Sequence, residues 1–446
     1  MNQKMLVWAL AIGCIAWMPP PIPGKKELSF PQASSPVSPV TTCSLQATVV
    51  PRQSRVRHRN GVFQRLLRCP FCSSVNVTFG EQLKIYDLVV TARLIALVEP
   101  PADEPTEQKY GKFGVQRIFK GENFIEAATE FQAALGEDAD GKTEFLCFGI
   151  GPPLTLWNPA IPSDNRVEDY LMAIKSLPPA GAERLVFFLD YLEDANQVLA
   201  MDAYDEFAIC TYDDLHHLKT RIPRQKLLQF IQNREVPVNH RRLYFTMLGV
   251  CGDPQQDVPL LERLLVSEEK EDREGLDSLT ACYLCLKGAD GLKLIEQQFI
   301  LNEETDYLLM HEILAALRFH GTEVEIIPRE RLVQTVRQLL NRPRLADMVI
   351  ADLARWEDWE VLGQLIEMFQ NSDNKINWIR VPIFQYLLAC PLPEAKQAIE
   401  KLKKVDEEAF RRAVFLSSMI ERDQDDQDDQ DDELDDDWQQ AALERG

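Results

Sequence analysis

Between Asn165 and residue 420 the chain repeats a helical theme at a nearly fixed pitch, and that recurrence constrains its fold more than any other feature. The stretches NRVEDYLMAIKSL, AERLVFFLDYLED and NQVLAMDAYDEFAI carry apolar residues at three-and-four spacing, as helices with a buried face do. Beyond them, helix pairs end at Gly252, Gly288, Gly321, Trp356 and Cys390, in steps of 36, 33, 35 and 34 residues. A period of about 35–45 residues with two helices per unit predicts a right-handed α-solenoid, each pair shielding its neighbour's apolar face. In WEVLGQLIEMFQ, Val361, Leu362, Leu365, Ile366 and Phe369 form one stripe, while RLADMVIADLARW is apolar nearly all round, as an inner helix should be. Asp257 before Val258-Pro259 reads as a helix start. Gly252, Gly288 and Gly321 read as terminators in the left-handed conformation, and Trp356 and Trp359 as core wedges.

The segment before this array has a different texture. VTFGEQLKIY predicts a short helix, and DLVVTARLIALVEP, rich in Val, Ile and Leu without internal Gly or Pro, predicts a strand. KFGVQRIFKGE predicts another, with Phe113, Val115 and Phe119 on one face at period two and a turn at Lys120-Gly121. TEFLCFGIG and LTLWN add short strands. The expectation is an α+β chain: a small all-β barrel at 69–160 followed by the helical repeats at 165–420.

Three resemblances follow from these residues. The order Cys-x-x-Cys, helix, DLVVTARLIALVE, FGVQRIFKG, EFLCFGIG is similar to the netrin-like OB-fold domain of tissue metalloproteinase inhibitors, and covers about a fifth of the chain. In that family the first cysteine is the mature N-terminus and chelates the protease zinc. The resemblance therefore implies inhibition only if cleavage falls directly before Cys69, and here two residues separate the cysteines instead of one. The array resembles HEAT-type repeats, and the whole chain is similar to a group of exported bacterial proteins with a cysteine-led domain and a helical repeat region. That likeness implies no activity.

The pair Cys69 and Cys72 in RLLRCPFCSSV admits three readings. Thioredoxin-like redox chemistry needs a strand before the motif and an amphipathic helix after it, whereas an arginine-rich coil precedes it and SSVNVTFG follows. A zinc ribbon needs a second ligand pair; the other Cys-x-x-Cys, Cys282 and Cys285, lies about 210 residues away on an apolar helix, and His216, His217 and His240 are scattered. The third reading is a structural disulfide, either Cys69–Cys72 or a staple to a strand, with Cys147 the nearest candidate. Isolated cysteines such as Cys147, Cys210 and Cys390 sit in apolar runs and read as small buried hydrophobes.

No zinc-protease helix, nucleophile elbow or phosphate-binding loop is present: His311-Glu312 lacks the second histidine. The carboxylates Asp190, Glu193, Asp202, Asp205, Glu206, Asp213 and Asp214 read as a solvated helix face. No cofactor, metal or small-molecule substrate is expected.

Charge and the termini address the compartment. The net charge of -22 disfavours specific nucleic-acid recognition, and the tail 421–446 alone holds 13 acidic residues against Arg422 and Arg445. That tail reads as disordered, open to diffuse calcium attraction or to folding back on the basic arm. The arm from Arg52 to Arg68 carries six arginines and no acid, within a Pro/Ser/Arg-rich linker over 19–68, and offers contact to polyanions or anionic membrane. Met5 to Trp17 is an uncharged apolar run of signal-peptide length, so residues 1–18 predict export, with a short membrane anchor, or a lipid on Cys14, as alternatives. Together these features predict an exported, non-enzymatic scaffold binding another protein through the helical surface. The alternatives are a thiol–disulfide protein using Cys69 and Cys72, and a metalloprotease-inhibitor-like protein.

Overall fold

The computed structural model describes residues 71–72, 76–100, 108–136, 139–151, 155–372 and 377–419. All of them belong to one compact unit, Gln64–Met419. The leader, the basic arm, Cys69 and the acidic tail lie outside the described residues.

Helix α1 (Phe79–Ile85) leads into six strands: β1 (Leu88–Val98), β2 (Tyr110–Lys120), β3 (Glu130–Ala134), β4 (Glu144–Ile150), β5 (Leu156–Trp157) and β6 (Ile161–Pro162). They form one antiparallel sheet in the order β3-β2-β1-β4-β5, with β6 also pairing β4. A parallel bridge between Leu135 and Ala160 links the end of β3 to the chain just before β6. Period-two alternation buries both faces. Leu88, Val90, Ala92, Phe113, Val115, Phe145 and Cys147 fill one side. Val89, Phe119, Leu146 and Phe148 share the other with the first helices that follow.

Phe119 corrects the expected alternation. Thr91 pairs with Arg117 but Ala92 with Val115, so Gln116 is an extra residue and the strand bulges there. A bulge reverses which face the following side chains take. Ile118 now packs beside the Phe113 and Val115 core. Arg117 turns to the helical side and pairs with Glu168 at 3.0 Å, and Phe119 joins the helical core.

The helices are α2 (Asn165–Ile174), α3 (Ala182–Phe188), α4 (Gln197–Ala208), α5 (Tyr212–His217), α6 (Arg224–Gln232), α7 (Val238–Cys251), α8 (Pro254–Leu265), α9 (Leu276–Lys287), α10 (Leu292–Ile295), α11 (Tyr307–Thr322), α12 (Arg329–Arg337), α13 (Asp347–Arg355), α14 (Leu362–Asn371), α15 (Arg380–Ala389) and α16 (Pro393–Leu402). A last helical run covers 407–419. The ends of α7, α9, α11, α13 and α15 fall at steps of 36, 35, 33 and 34 residues, and α7 packs on α9, α9 on α11, and α13 on α15. One apolar core runs from Phe79 in α1 to Ala413 in the last helix. The change from strands to helices near residue 165 is therefore no break in packing. Among the described residues no helix is long and apolar enough to cross a membrane.

Ion pairs repeat with the helices. Arg224 meets Asp257, Arg242 meets Asp277, and Arg318 meets Asp352, at offsets of 33, 35 and 34 residues. Each acceptor is buried or nearly so, and its arginine brings the charge and the planar donors that burial demands.

Three local expectations change. Helix α8 starts at Pro254 under an Asp253 cap, not at Asp257; Asp257 is instead buried within the helix, receiving the guanidinium of Arg224 and the Asp253 amide. Gly252 has φ -68° and Gly321 lies inside α11, so neither ends a helix in the left-handed region; only Gly288, at φ 66°, does so. The other two are glycines because of close approach: a Cβ at Gly252 would sit 2.6 Å from the Leu248 carbonyl, and one at Gly321 would sit 2.5 Å from the Trp356 ring. The indole of Trp356 is thereby wedged against α11, 6 % exposed.

Candidate functional site

Of the carboxylates read as a solvated face, Asp190 and Asp213 are exposed, but three on α4 are not, and they are the main correction at the site. Asp202, Asp205 and Glu206 are 5 %, 2 % and 3 % exposed. At i, i+3 and i+4 they share one side of α4, a helix buried from Asp202 to Ala208 and exposed at Gln197 and Met201. What covers them is the segment entering α1. Phe79 donates its amide to Asp202 Oδ1 at 2.6 Å, and Tyr170 of α2 donates its hydroxyl to Oδ2 at 2.9 Å. Asn76 donates its backbone amide and its side-chain amide to the two oxygens of Asp205, each at 3.2 Å. Glu206 accepts two bonds from Arg184, at 2.8 and 2.5 Å. Gly80 leaves room for that guanidinium, since a Cβ there would lie 2.2 Å from Arg184 Nη2. Thr78 and Glu81 close the helix start as a reciprocal capping box.

Three carboxylates and a single guanidinium share this buried patch, so burial sets the proton affinities. Asp202 rises from 3.8 to about 7, first through loss of hydration and then through repulsion from Glu206 and Asp205, against the bonds from Phe79 and Tyr170. Asp205 rises to about 6 for the same first reason, against the two Asn76 bonds.

A second anchor lies N-terminal to the first. The Phe71 ring is 5 % exposed and meets Phe319 of α11 edge-on at 5.2 Å; Tyr212 of α5 meets the same Phe319 ring at 5.0 Å. Phe71, Ala281, Ala316, Phe319 and Val324 form a small cluster against which Cys72, Tyr212 and Cys285 pack. The Tyr212 hydroxyl lies 3.8 Å from Cys285 Sγ, which lies 3.9 Å from His320 Nε2. That Nε2 is 3.1 Å from the Ala281 carbonyl, so it carries the proton and donates it, leaving a neutral ring whose pKa burial lowers to about 4. Burial pushes the Cys285 thiol up to about 11, partly offset by the Tyr212 hydroxyl.

A third polar knot adjoins α4. Glu193, at φ 58°, accepts from Tyr244 and contacts His240 Nδ1, both at 2.6 Å, and Tyr204 stacks on that imidazole with centroids 4.4 Å apart. These bonds use the Glu193 carboxylate to hold α7 against the turn after α3.

Of the sequence-derived candidates, Cys69 lies outside the described residues. Cys72 sits half-buried beside the Phe71 cluster, and Cys147 is fully buried in the sheet, opposite Val90 of β1, where loss of hydration raises its thiol pKa. Cys72 and Cys147 belong to different clusters. The distant Cys285, by contrast, packs against the same cluster as Cys72. Among the described residues no group of three or more His, Cys, Asp or Glu side chains could hold a metal ion. Sequence reasoning missed both anchors. The available signal was the acidic triad inside MDAYDEFAI, set among apolar residues on both sides that leave little room for a solvated face.

No protein-family model, curated protein or solved structure matches the chain.

Proposed function

We propose that the chain is an exported, non-enzymatic scaffold whose helical array binds another protein. The observation that carries this reading is the agreement of two periods: helices ending every 33 to 36 residues, and buried ion pairs joining positions 33 to 35 residues apart. Helical hairpins coupled at one offset stack as a quasi-linear series, which we read as a right-handed HEAT-like solenoid, an architecture that offers a long continuous surface. The buried carboxylates of α4 support the same view, because their oxygens are occupied by structural partners. We read the sheet as a small OB-like barrel, the Leu135–Ala160 bridge drawing its two ends together. Export rests on the apolar run from Met5 to Trp17.

The test has two steps. A partner captured with the full chain is purified, the complex is rebuilt from the two pure proteins, and hydrogen exchange is measured. Protection falling on α4 to α16 supports the scaffold. Protection confined to β1–β6, or failure to rebuild any complex, refutes it. N-terminal sequencing of the chain recovered outside the cytoplasm tests export: none of the chain outside removes that part, while an intact Met1 there replaces the cleaved leader by an uncleaved anchor.

A further inference from the structure

Helix α1 is fastened to the helices mainly by its first turn. Of its seven residues only Phe79 and Gly80 are buried, while Lys84 and Ile85 are exposed. Phe79 makes the apolar part of the contact, its ring lying 5.8 Å from that of Phe148 in β4 and 6.3 Å from that of Tyr170 in α2. Two carboxylates make the polar part. The Phe79 amide reaches Asp202, and Asn76 reaches Asp205 through its backbone and side-chain N–H groups. The far end of α1 is tied separately, where Lys120 Nζ of β2 donates to the Leu83 carbonyl at 2.8 Å. We propose that the seam between α1 and α4 is a proton-operated latch: with Asp202 and Asp205 protonated, residues 76–82 lie closed on α4, and with both ionised they open locally about Leu83 while the sheet and the other helices stay folded. The latch is independent of what the array binds.

The groups at the seam set the direction. Asp202 faces Glu206 and Asp205 on its own helix, the Tyr170 hydroxyl on α2 and the Phe79 amide on α1. Asp205 faces Asn76, Glu81 of α1 and the His240 ring of α7, which Glu193 already engages at 2.6 Å. Arg184 of α3 spends its guanidinium on Glu206 and on the Pro178 carbonyl, so neither aspartate receives it. Ionising either aspartate in the closed seam therefore forfeits hydration and adds repulsion, and opening returns the carboxylate to water. The Asp202 carboxyl is pushed up to about 7 and that of Asp205 to about 6, so both titrate between pH 5 and pH 8 when the seam is closed. Because both values are raised, each proton lost in that window favours the open form. Asp202 alone raises the opening constant about a hundredfold from pH 5 to pH 8, and Asp205 adds to it.

Hydrogen exchange of the full chain reads the latch on peptides spanning residues 76–82, with the intrinsic pH dependence of exchange divided out. From pH 5 to pH 8 their protection should fall about a hundredfold or more. It should also depend on urea far less than protection in α7 and α9, which marks a local opening and separates it from unfolding of the whole chain. Asp202→Asn, measured alongside, should shrink the fall to about tenfold or less, the part left to Asp205. Three results overturn the latch. Protection over 76–82 that stays constant with pH removes the proton dependence. Protection equal to that of α7 and α9 in size and urea dependence shows that the seam opens only with the whole fold. An undiminished fall in folded Asp202→Asn assigns the titration to another group. The first two results come from the unaltered chain, so they decide the matter even where the variant does not fold.

Discussion

Asp202 makes the sharpest quantitative test of the packing at α4. It is fully buried, and its carboxyl pKa stands at about 7 against 3.8 for an unhindered group. Between those two values the folded chain holds a proton that the unfolded chain has released. Stability from this group is therefore complete below pH 3.8, falls as pH rises through the window, and levels off above about 7. At about 1.4 kcal/mol per decade, the gap bounds the loss at about 4 kcal/mol. Asp202→Asn abolishes the titration. Its oxygen still accepts from Phe79, while its amide requires the Tyr170 hydroxyl to turn and accept, a mismatch worth about 1 kcal/mol. The variant should then be less stable than the native chain by about 1 kcal/mol near pH 4 and more stable by up to about 3 kcal/mol at pH 8. Urea unfolding at one-unit intervals from pH 4 to pH 8 measures both. Asp205→Asn should act in the same direction, its window closing near pH 6 because that carboxyl stands at about 6. If the Asp202→Asn curve runs parallel to the native one across the whole range, the argument from buried like charges is wrong.

Other expectations follow from single contacts. Arg318→Met removes the α11 partner of Asp352, which keeps Arg355 at 2.7 Å, and should cost about 1.5–3 kcal/mol in urea unfolding; a loss below about 0.5 kcal/mol would show that this pair does not join the helices. Gly321→Ala forces a methyl against the Trp356 ring and should lower stability by about 1–3 kcal/mol, with part recovered when Trp356→Phe is added; additive losses in thermal melts would contradict the contact. With a thiol near 11, Cys285 is only about 0.1 % ionised at pH 8, so maleimide labelling followed by peptide mapping should find it slow, and faster once Phe71→Ala uncovers it. Fast labelling in the native chain would place Cys285 outside the cluster.

The helices were legible because their apolar spacing is local information. Five stops expected at Gly252, Gly288, Gly321, Trp356 and Cys390 fall within a residue of where α7, α9, α11, α13 and α15 end. The reasons for two of those glycines were not legible, since a turn by backbone conformation and a close approach by a carbonyl or a neighbour's ring demand the same residue. Strands β1, β2 and β4 announced themselves by β-branched and aromatic content. The short β3, EFQAA, has no such signal and is a strand through its pairing with β2. Gln116 carries no glycine to mark its bulge, so the turn of Phe119 toward the helices was hidden. The candidate site was the least visible part. Phe71 with Phe319, and Asn76 with Asp205, are contacts that no window of sequence contains, and a triad of acids looks the same under water as under another segment.

The ion pairs at matched offsets bear on how such a chain can change its length. The arginines stand on α6, α7 and α11 and their aspartates on α8, α9 and α13, each link crossing from one hairpin to the next. A cut that falls between an arginine and its aspartate leaves a buried charge without its mate. The stretch between Asp277 and Arg318 holds none of these six residues, so it is there that the array can gain or lose a hairpin with all three pairs intact.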